Sequence, residues 1–192
     1  MNDQRKASAL ADLRAKIIQE LTIERWRDAW FFPPSNGYRD VPQGICGWQG
    51  TGDVLLVGLN PSTGQFPNEA DKFLYGELRD NDLGEAHLTD VIKVRATGSE
   101  VKLMLKNPNL MRQQRDYFLE EIDILAPRLL VPMGRQAADA LTAWLPGSKI
   151  VRAIPHYSPR IRSQENLERF RVRLRAVGTE YRGTAARARG LA

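Results

Sequence analysis

With 192 residues, 42% of them hydrophobic and 27% charged, the chain has the length and composition of one globular domain with a full core. Its one cysteine, Cys46, excludes an internal disulfide and a cysteine-held zinc or iron–sulfur centre, and no apolar run reaches the roughly 18 residues of a membrane helix. The net charge of +5 is uneven, with nine arginines against three glutamates from Arg160 to Ala192 and 19 basic against 20 acidic residues before it; this suits a polyanion such as nucleic acid, although a solvated helix face with a frayed tail would carry the same charge.

Met1 to Lys16 is polar and mixed in charge. It lacks the apolar centre of a secretory signal, so a cytoplasmic location is expected. Leu10, Leu13, Ile17, Ile18 and Leu21 fall at helical spacing and predict a helix over 8–23. A loop rich in proline and glycine follows over 31–53, expected to fold Trp26, Trp30 and Trp48 over the core. Val54 to Leu59 (VLLVGL) is all apolar and bounded by turn residues, as in a buried parallel strand. Ala86 to Val91 gives a second strand. Asn109 to Leu125 is a helix stopped by Pro127. Arg128 to Met133 gives a third strand, Gly134 to Trp144 a short helix, Lys149 to Ile154 (KIVRAI) a fourth strand, and Gln164 to Val177 a last helix.

Strands separated by helical segments predict right-handed crossovers and an α/β fold: a three-layer α/β/α sandwich with a four-stranded parallel sheet. One domain is expected over residues 1–180, with an N-terminal helix and loop over 1–52 and the α/β core over 53–180. A basic tail at 181–192 would follow. Sites in such sheets lie beyond the carboxyl ends of the strands. That points to 58–64, 89–97 and 155–160.

In the first segment Gly58 permits a tight turn and Pro61 fixes it, while Ser62, Thr63 and Gly64 offer N–H groups to a phosphate or a base oxygen. Asn60 is neutral, so it can hold a water but is a poor general base. A plain strand-to-helix turn would read the same way. In the last segment His156 can donate to an oxygen gaining negative charge, and Arg160 or Arg162 can meet phosphate; a surface histidine in a turn is the alternative. In the middle segment Asp90 precedes Lys93 and Arg95, a mixture of acceptor and cations that a surface ion pair also explains.

Taken in order, these segments resemble the uracil-DNA glycosylase superfamily. Gly58-Leu59-Asn60-Pro61 is similar to the asparagine-bearing first motif of its mismatch-specific and single-strand-selective branches. His156-Tyr157-Ser158-Pro159 resembles the second motif, with tyrosine where proline is usual. Leu88 to Arg95 is similar to the Thr-Asn-x-x-Lys-x-Arg segment of the thermophilic, iron–sulfur branch, as is 118–141. The resemblance spans about 53–177. It implies a base flipped from the duplex into the cleft. Asn60 would position the attacking water and His156 would stabilise charge on the base. Gly58, Pro61, Ser62, Thr63, Gly64, Asp90, Tyr157 and Ser158 would line the base site, and Lys93, Arg95, Arg160 and Arg162 would contact DNA.

No metal or other cofactor is expected, and a monomer acting on single- or double-stranded DNA is. Where uracil-specific relatives carry asparagine, this chain has Asp90. An ionised aspartate only accepts hydrogen bonds, which predicts weak uracil activity or another target base. A catalytically idle DNA-binding protein of the same fold is the alternative. Leu59 to Thr63 also looks like a motif of an uncharacterised bacterial family, which leaves another nucleotide-like ligand open.

Overall fold

The computed structural model describes residues 3–20, 53–61, 67–148, 150–157 and 163–188. Trp26, Trp30, Cys46 and Trp48 lie outside them, with the expected loop as far as residue 52, as do the site candidates Ser62, Thr63, Gly64, Ser158, Arg160 and Arg162. The elements in chain order are α1 (Asp3–Glu20), β1 (Val54–Gly58), α2 (Glu69–Asp80), β2 (His87–Asp90), α3 (Gly98–Leu105), α4 (Pro108–Leu125), β3 (Leu129–Pro132), α5 (Arg135–Trp144) and α6 (Gln164–Ala188). Among the described residues no helix is long and apolar enough to cross a membrane.

The fold is α/β, and β1 is the central strand of a parallel sheet ordered β2-β1-β3. All five β1 residues are buried, which is why VLLVG shows no alternation of apolar and polar residues. Successive side chains point to opposite faces. Leu55 and Val57 join a core with α1, α3, α4 and α5, while Val54 and Leu56 join a second core with α2 and α6. Helices thus cover both faces.

Three expectations need correction. Among the described residues the sheet has three strands rather than four. Residues 150–154 meet β3 only at two isolated parallel bridges, Leu130 with Ile150 and Met133 with Ile154. Two residues of β3 between the bridges face three on the other side, so the register slips. Pro132 also has no N–H to give the ladder. The bonds that remain run from Val151 N–H to the Leu130 carbonyl and from Ile154 N–H to the Pro132 carbonyl, both 3.0 Å, and from Gly134 N–H to the Ile154 carbonyl, 2.8 Å.

Two helices, α2 and α3, occur where none is predicted. Each opens on a capping box. Asn68 accepts from Asp71 N–H while Asp71 accepts from Asn68 N–H, and Thr97 and Glu100 do the same for α3, satisfying amides that have no partner inside the helix. Finally, α6 continues to Ala188, so the expected tail from 181 is largely helix.

The long α6 crosses α2 at a close contact. A Cβ at Gly178 would lie 2.6 Å from the Asn81 carbonyl oxygen, a backbone atom that cannot rotate away. Gly178→Ala should therefore destabilise the protein by about 1–3 kcal/mol, because overpacking outweighs the roughly 1 kcal/mol that alanine gains in a helix. Thermal unfolding checks this, and an unchanged or raised melting temperature would contradict it.

Candidate active site

The loops leaving β1 and β2 are joined by a continuation of the sheet ladder. Val91 N–H donates to the Gly58 carbonyl at 3.0 Å, and Ile92 N–H to the Leu59 carbonyl at 2.9 Å. Asn60 adds a side-chain link, its Nδ2 donating to the Pro61 carbonyl at 2.9 Å and to the Ala96 carbonyl at 3.0 Å. Two carbonyl acceptors require the amide nitrogen on that side, which fixes the orientation of the group. Both amide hydrogens are engaged. Oδ1 is the polar atom Asn60 has left to hold a water or ligand.

Asp90 ends β2 directly opposite Gly58 in the register. Its carboxyl lies over the Gly58 Cα, and a Cβ at 58 would collide with Asp90 Oδ1. Gly58 is thus required for the close approach of this carboxyl rather than for the expected turn, since it lies within β1 without a positive φ. Asp90 is only 6% exposed, and burial pushes its carboxyl up to about 7 from the ordinary 3.8, Lys93 opposing the rise and Glu121 adding to it. Burial thus favours the un-ionised form of this carboxyl more than at an exposed aspartate.

Lys93 is not available to DNA phosphate. It is 1% exposed, and its Nζ donates to Glu121 Oε2 and to Thr89 Oγ1, each at 2.6 Å. The Thr89 hydroxyl donates to the Glu121 carboxylate, 2.9 Å from Oε2 and 3.0 Å from Oε1. His87 Nε2 lies 3.2 Å from Glu121 Oε1 and donates to it, because the carboxylate has no proton to give. Burial keeps His87 neutral by lowering its pKa. The Phe118 ring lies under the ammonium at 5.0 Å. Lys93 N–H also donates to Gln114 Oε1 at 2.7 Å. A buried network from α4 thereby holds the segment that follows Asp90. Arg95 is half-buried.

Beyond the Met133–Ile154 bridge come His156 and Tyr157, both half-buried. Their rings stack 4.9 Å apart with planes 9° from parallel. Burial lowers the His156 pKa from its ordinary 6.5, leaving a neutral ring with one N–H to donate. Gly134, at φ 90°, sits against the His156 Cβ. The Tyr157 hydroxyl donates to Asp71 Oδ1 at 3.4 Å. Burial, together with the charges of Asp71 and Asp90 and the nearby Tyr75, raises the Tyr157 pKa well above 10.

Asn60, Asp90, Tyr157 and His156 are thus all carried at the carboxyl ends of the sheet, together with Gly58 and the buried Pro61. Asp71 and Glu121 were not anticipated at the site. The signal for Glu121 is readable: it follows Tyr117 and Phe118 and precedes Leu125 on the apolar face of α4, where a carboxylate needs a buried partner. Two hollows occur elsewhere, a groove of about 560 Å³ beside α6 and a hollow of about 110 Å³ walled by Asp53, Glu85 and Tyr181. Neither is lined by Asn60, Asp90 or His156.

The family model for the Uracil DNA glycosylase superfamily matches residues 49–177, a span that contains all three motif segments. No curated protein matches the chain.

Proposed function

The chain belongs to the uracil-DNA glycosylase superfamily, and from that premise we propose that it is a monofunctional DNA glycosylase that hydrolyses the N-glycosidic bond of a flipped-out uracil or other deaminated base. The observation that carries this reading is that the fixed Asn60 amide and the buried Asp90 carboxyl sit on adjacent strand ends tied by the Val91 and Ile92 hydrogen bonds. Asn60 Oδ1 would orient a water towards the sugar C1′. The neutral His156 would donate to the base O2 as the glycosidic electron pair moves onto the base. The sugar would become cation-like, and fixed dipoles would supply much of the rate.

Gly58, Pro61, Ser62, Thr63, Gly64, Tyr157 and Ser158 would shape the base site. Arg95, Arg160 and Arg162 would meet phosphate, assisted by Arg169 and Arg175, which are exposed on α6. The protein would work on DNA as a cytoplasmic monomer without a cofactor.

One observation favours a second reading, an idle DNA-binding protein. Tyr157 lies within electrostatic reach of Asp90 and of the buried Tyr75, and aromatic rings at this end of the sheet would compete with a base for space. A panel of oligomers bearing uracil, hypoxanthine, xanthine or a mismatch, scored for abasic sites and for binding, separates the two. Abasic sites from at least one deaminated base support the glycosylase. Binding without abasic sites supports the second reading, and neither result would end both.

A further inference from the structure

The sheet alone does not set the direction of the His156 imidazole. The backbone ladder of this stretch runs to Ile154, whose carbonyl accepts from Gly134 N–H at 2.8 Å, and the histidine follows in the loop beyond. Its ring lies against the Tyr157 ring, 4.9 Å between centroids and 9° from parallel. Such a stack fixes the plane of the imidazole, and with it the direction in which the ring N–H points. Neighbours on one loop cannot anchor each other, however, so the pair needs a fixed point elsewhere in the molecule.

The Tyr157 hydroxyl reaches one. It donates to Asp71 Oδ1 at 3.4 Å. Asp71 is 6% exposed and lies in the first turn of α2. Its Oδ2 accepts from Asn68 N–H at 2.9 Å, so the carboxylate cannot swing away from Tyr157 without giving up its half of the capping box. Behind it Leu74, Tyr75 and Leu78 seat α2 in the same core against which Tyr157 packs. The tie therefore ends on a helix terminus that is fixed by its own cap and by its packing.

We propose, resting on the glycosylase reading, that Asp71 and Tyr157 are positioning residues for His156. Asp71 holds the phenol, the phenol ring holds the imidazole, and the imidazole N–H is kept aimed at the base O2. Asp71 acts without meeting the base. A donor already aimed where charge will develop needs no reorientation during the reaction, which is where its advantage lies. The tie is long in the free protein, and hydrogen bonds at such sites often tighten when substrate closes on them. A hydrogen bond of this kind is worth about a fivefold change in rate.

The test compares Tyr157→Phe, which keeps the ring and loses the tie, with Asp71→Ala and Asn68→Ala. The last weakens the same helix end by removing the acceptor of the Ala70 and Asp71 N–H groups, and it leaves the Asp71 carboxylate in place. Single-turnover base release should fall about fivefold for Tyr157→Phe and at least as far for Asp71→Ala. Affinity for an oligomer carrying a non-cleavable uracil nucleotide should not change. Asn68→Ala should release base at the wild-type rate. In a His156→Ala background Tyr157→Phe should cause no further fall. An equal fall in both backgrounds, or the same fall with Asn68→Ala, would overturn the inference.

A second readout needs no turnover. His87 and His156 are the two histidines of the chain, so proton NMR gives one imidazole Cε1–H signal from each, assigned with His156→Ala. The Tyr157 ring current displaces the His156 signal. Tyr157→Phe and Asp71→Ala should both move it towards the free-histidine position, and Asn68→Ala should leave it in place. A His156 signal unmoved by the first two variants would overturn the inference at any level of activity. A signal that moves as expected, in a protein that releases no base from any deaminated oligomer, would uphold the anchored ring and sink the glycosylase reading instead.

Discussion

Asn60→Ala should lower base release by about 10²–10⁴-fold while changing DNA affinity by no more than a few-fold. The amide has been given one orientation by two backbone carbonyls, and its remaining oxygen is the only group it can offer to a water. An alanine cannot hold that water against the sugar. The loss therefore falls on the chemical step, with kcat and kcat/KM dropping together. The substitution also releases two hydrogen bonds to the Pro61 and Ala96 carbonyls, each worth about 1 kcal/mol. A modest fall in melting temperature should accompany it and must be measured alongside. Single-turnover release of base with the variant in excess separates the two effects. A variant that is folded, binds DNA and releases base at the wild-type rate would remove Asn60 from the reaction.

Glu121→Ala should be the most damaging change to stability, costing about 3–5 kcal/mol. That is a large part of the total stability of a domain this size. The cost comes from stranding Lys93, a buried ammonium that would keep only the Thr89 hydroxyl as a polar partner. Replacing both charges together, Lys93→Met with Glu121→Leu, should recover most of the loss, because the pair's desolvation cost disappears along with its attraction.

The pH dependence follows from the same network. Burial alone would raise the Glu121 carboxyl, but Lys93 and the His87 hydrogen bond outweigh it and hold the group at about 2, below the ordinary 4.5. The stability this contributes is complete above 4.5 and is lost as the pH falls towards 2. His87, whose pKa is lowered, adds to the acid loss below 6.5. Asp90 acts in the opposite sense, because its raised pKa favours the folded state at low pH and costs stability as the pH climbs from 3.8 to about 7. Urea unfolding of wild type and Glu121→Ala between pH 3 and 7 should show the gap between them closing at the acid end. A constant gap would mean that the carboxylate's charge is not what matters.

Much of the architecture is written locally in the chain. VLLVG, the Pro127 stop and the third strand identify themselves by short-range pattern, and each lies within a residue or two of its expected place. The helix α2 was equally legible, since Asn68 and Asp71 form a capping box and Ala70, Leu74 and Leu78 follow at helical spacing, but its charged outer face obscures the stripe. The fate of Lys93 was not legible. Its partner lies 28 residues away, and only tertiary packing places the two together, so a cation within a basic segment reads as a phosphate contact. Asp90 shows the same limit in another form. The residue type was plain, but its charge depends on burial against Gly58 and on a neighbouring ion pair, and these exist only once the strands are aligned.

The break opposite Pro132 has a consequence for motion. β1 is hydrogen-bonded along both edges, whereas the stretch leading to His156 is secured by two backbone bonds to β3 and one to Gly134 after it, with a slip in register between them. Opening that stretch exposes little apolar surface compared with opening the centre of the sheet, so its amides should exchange with solvent deuterium by local fluctuations well before those of Leu55 to Val57. The imidazole is therefore carried by one of the less cooperative parts of the sheet and can adjust to a bound nucleotide while the strand beneath Asn60 stays rigid.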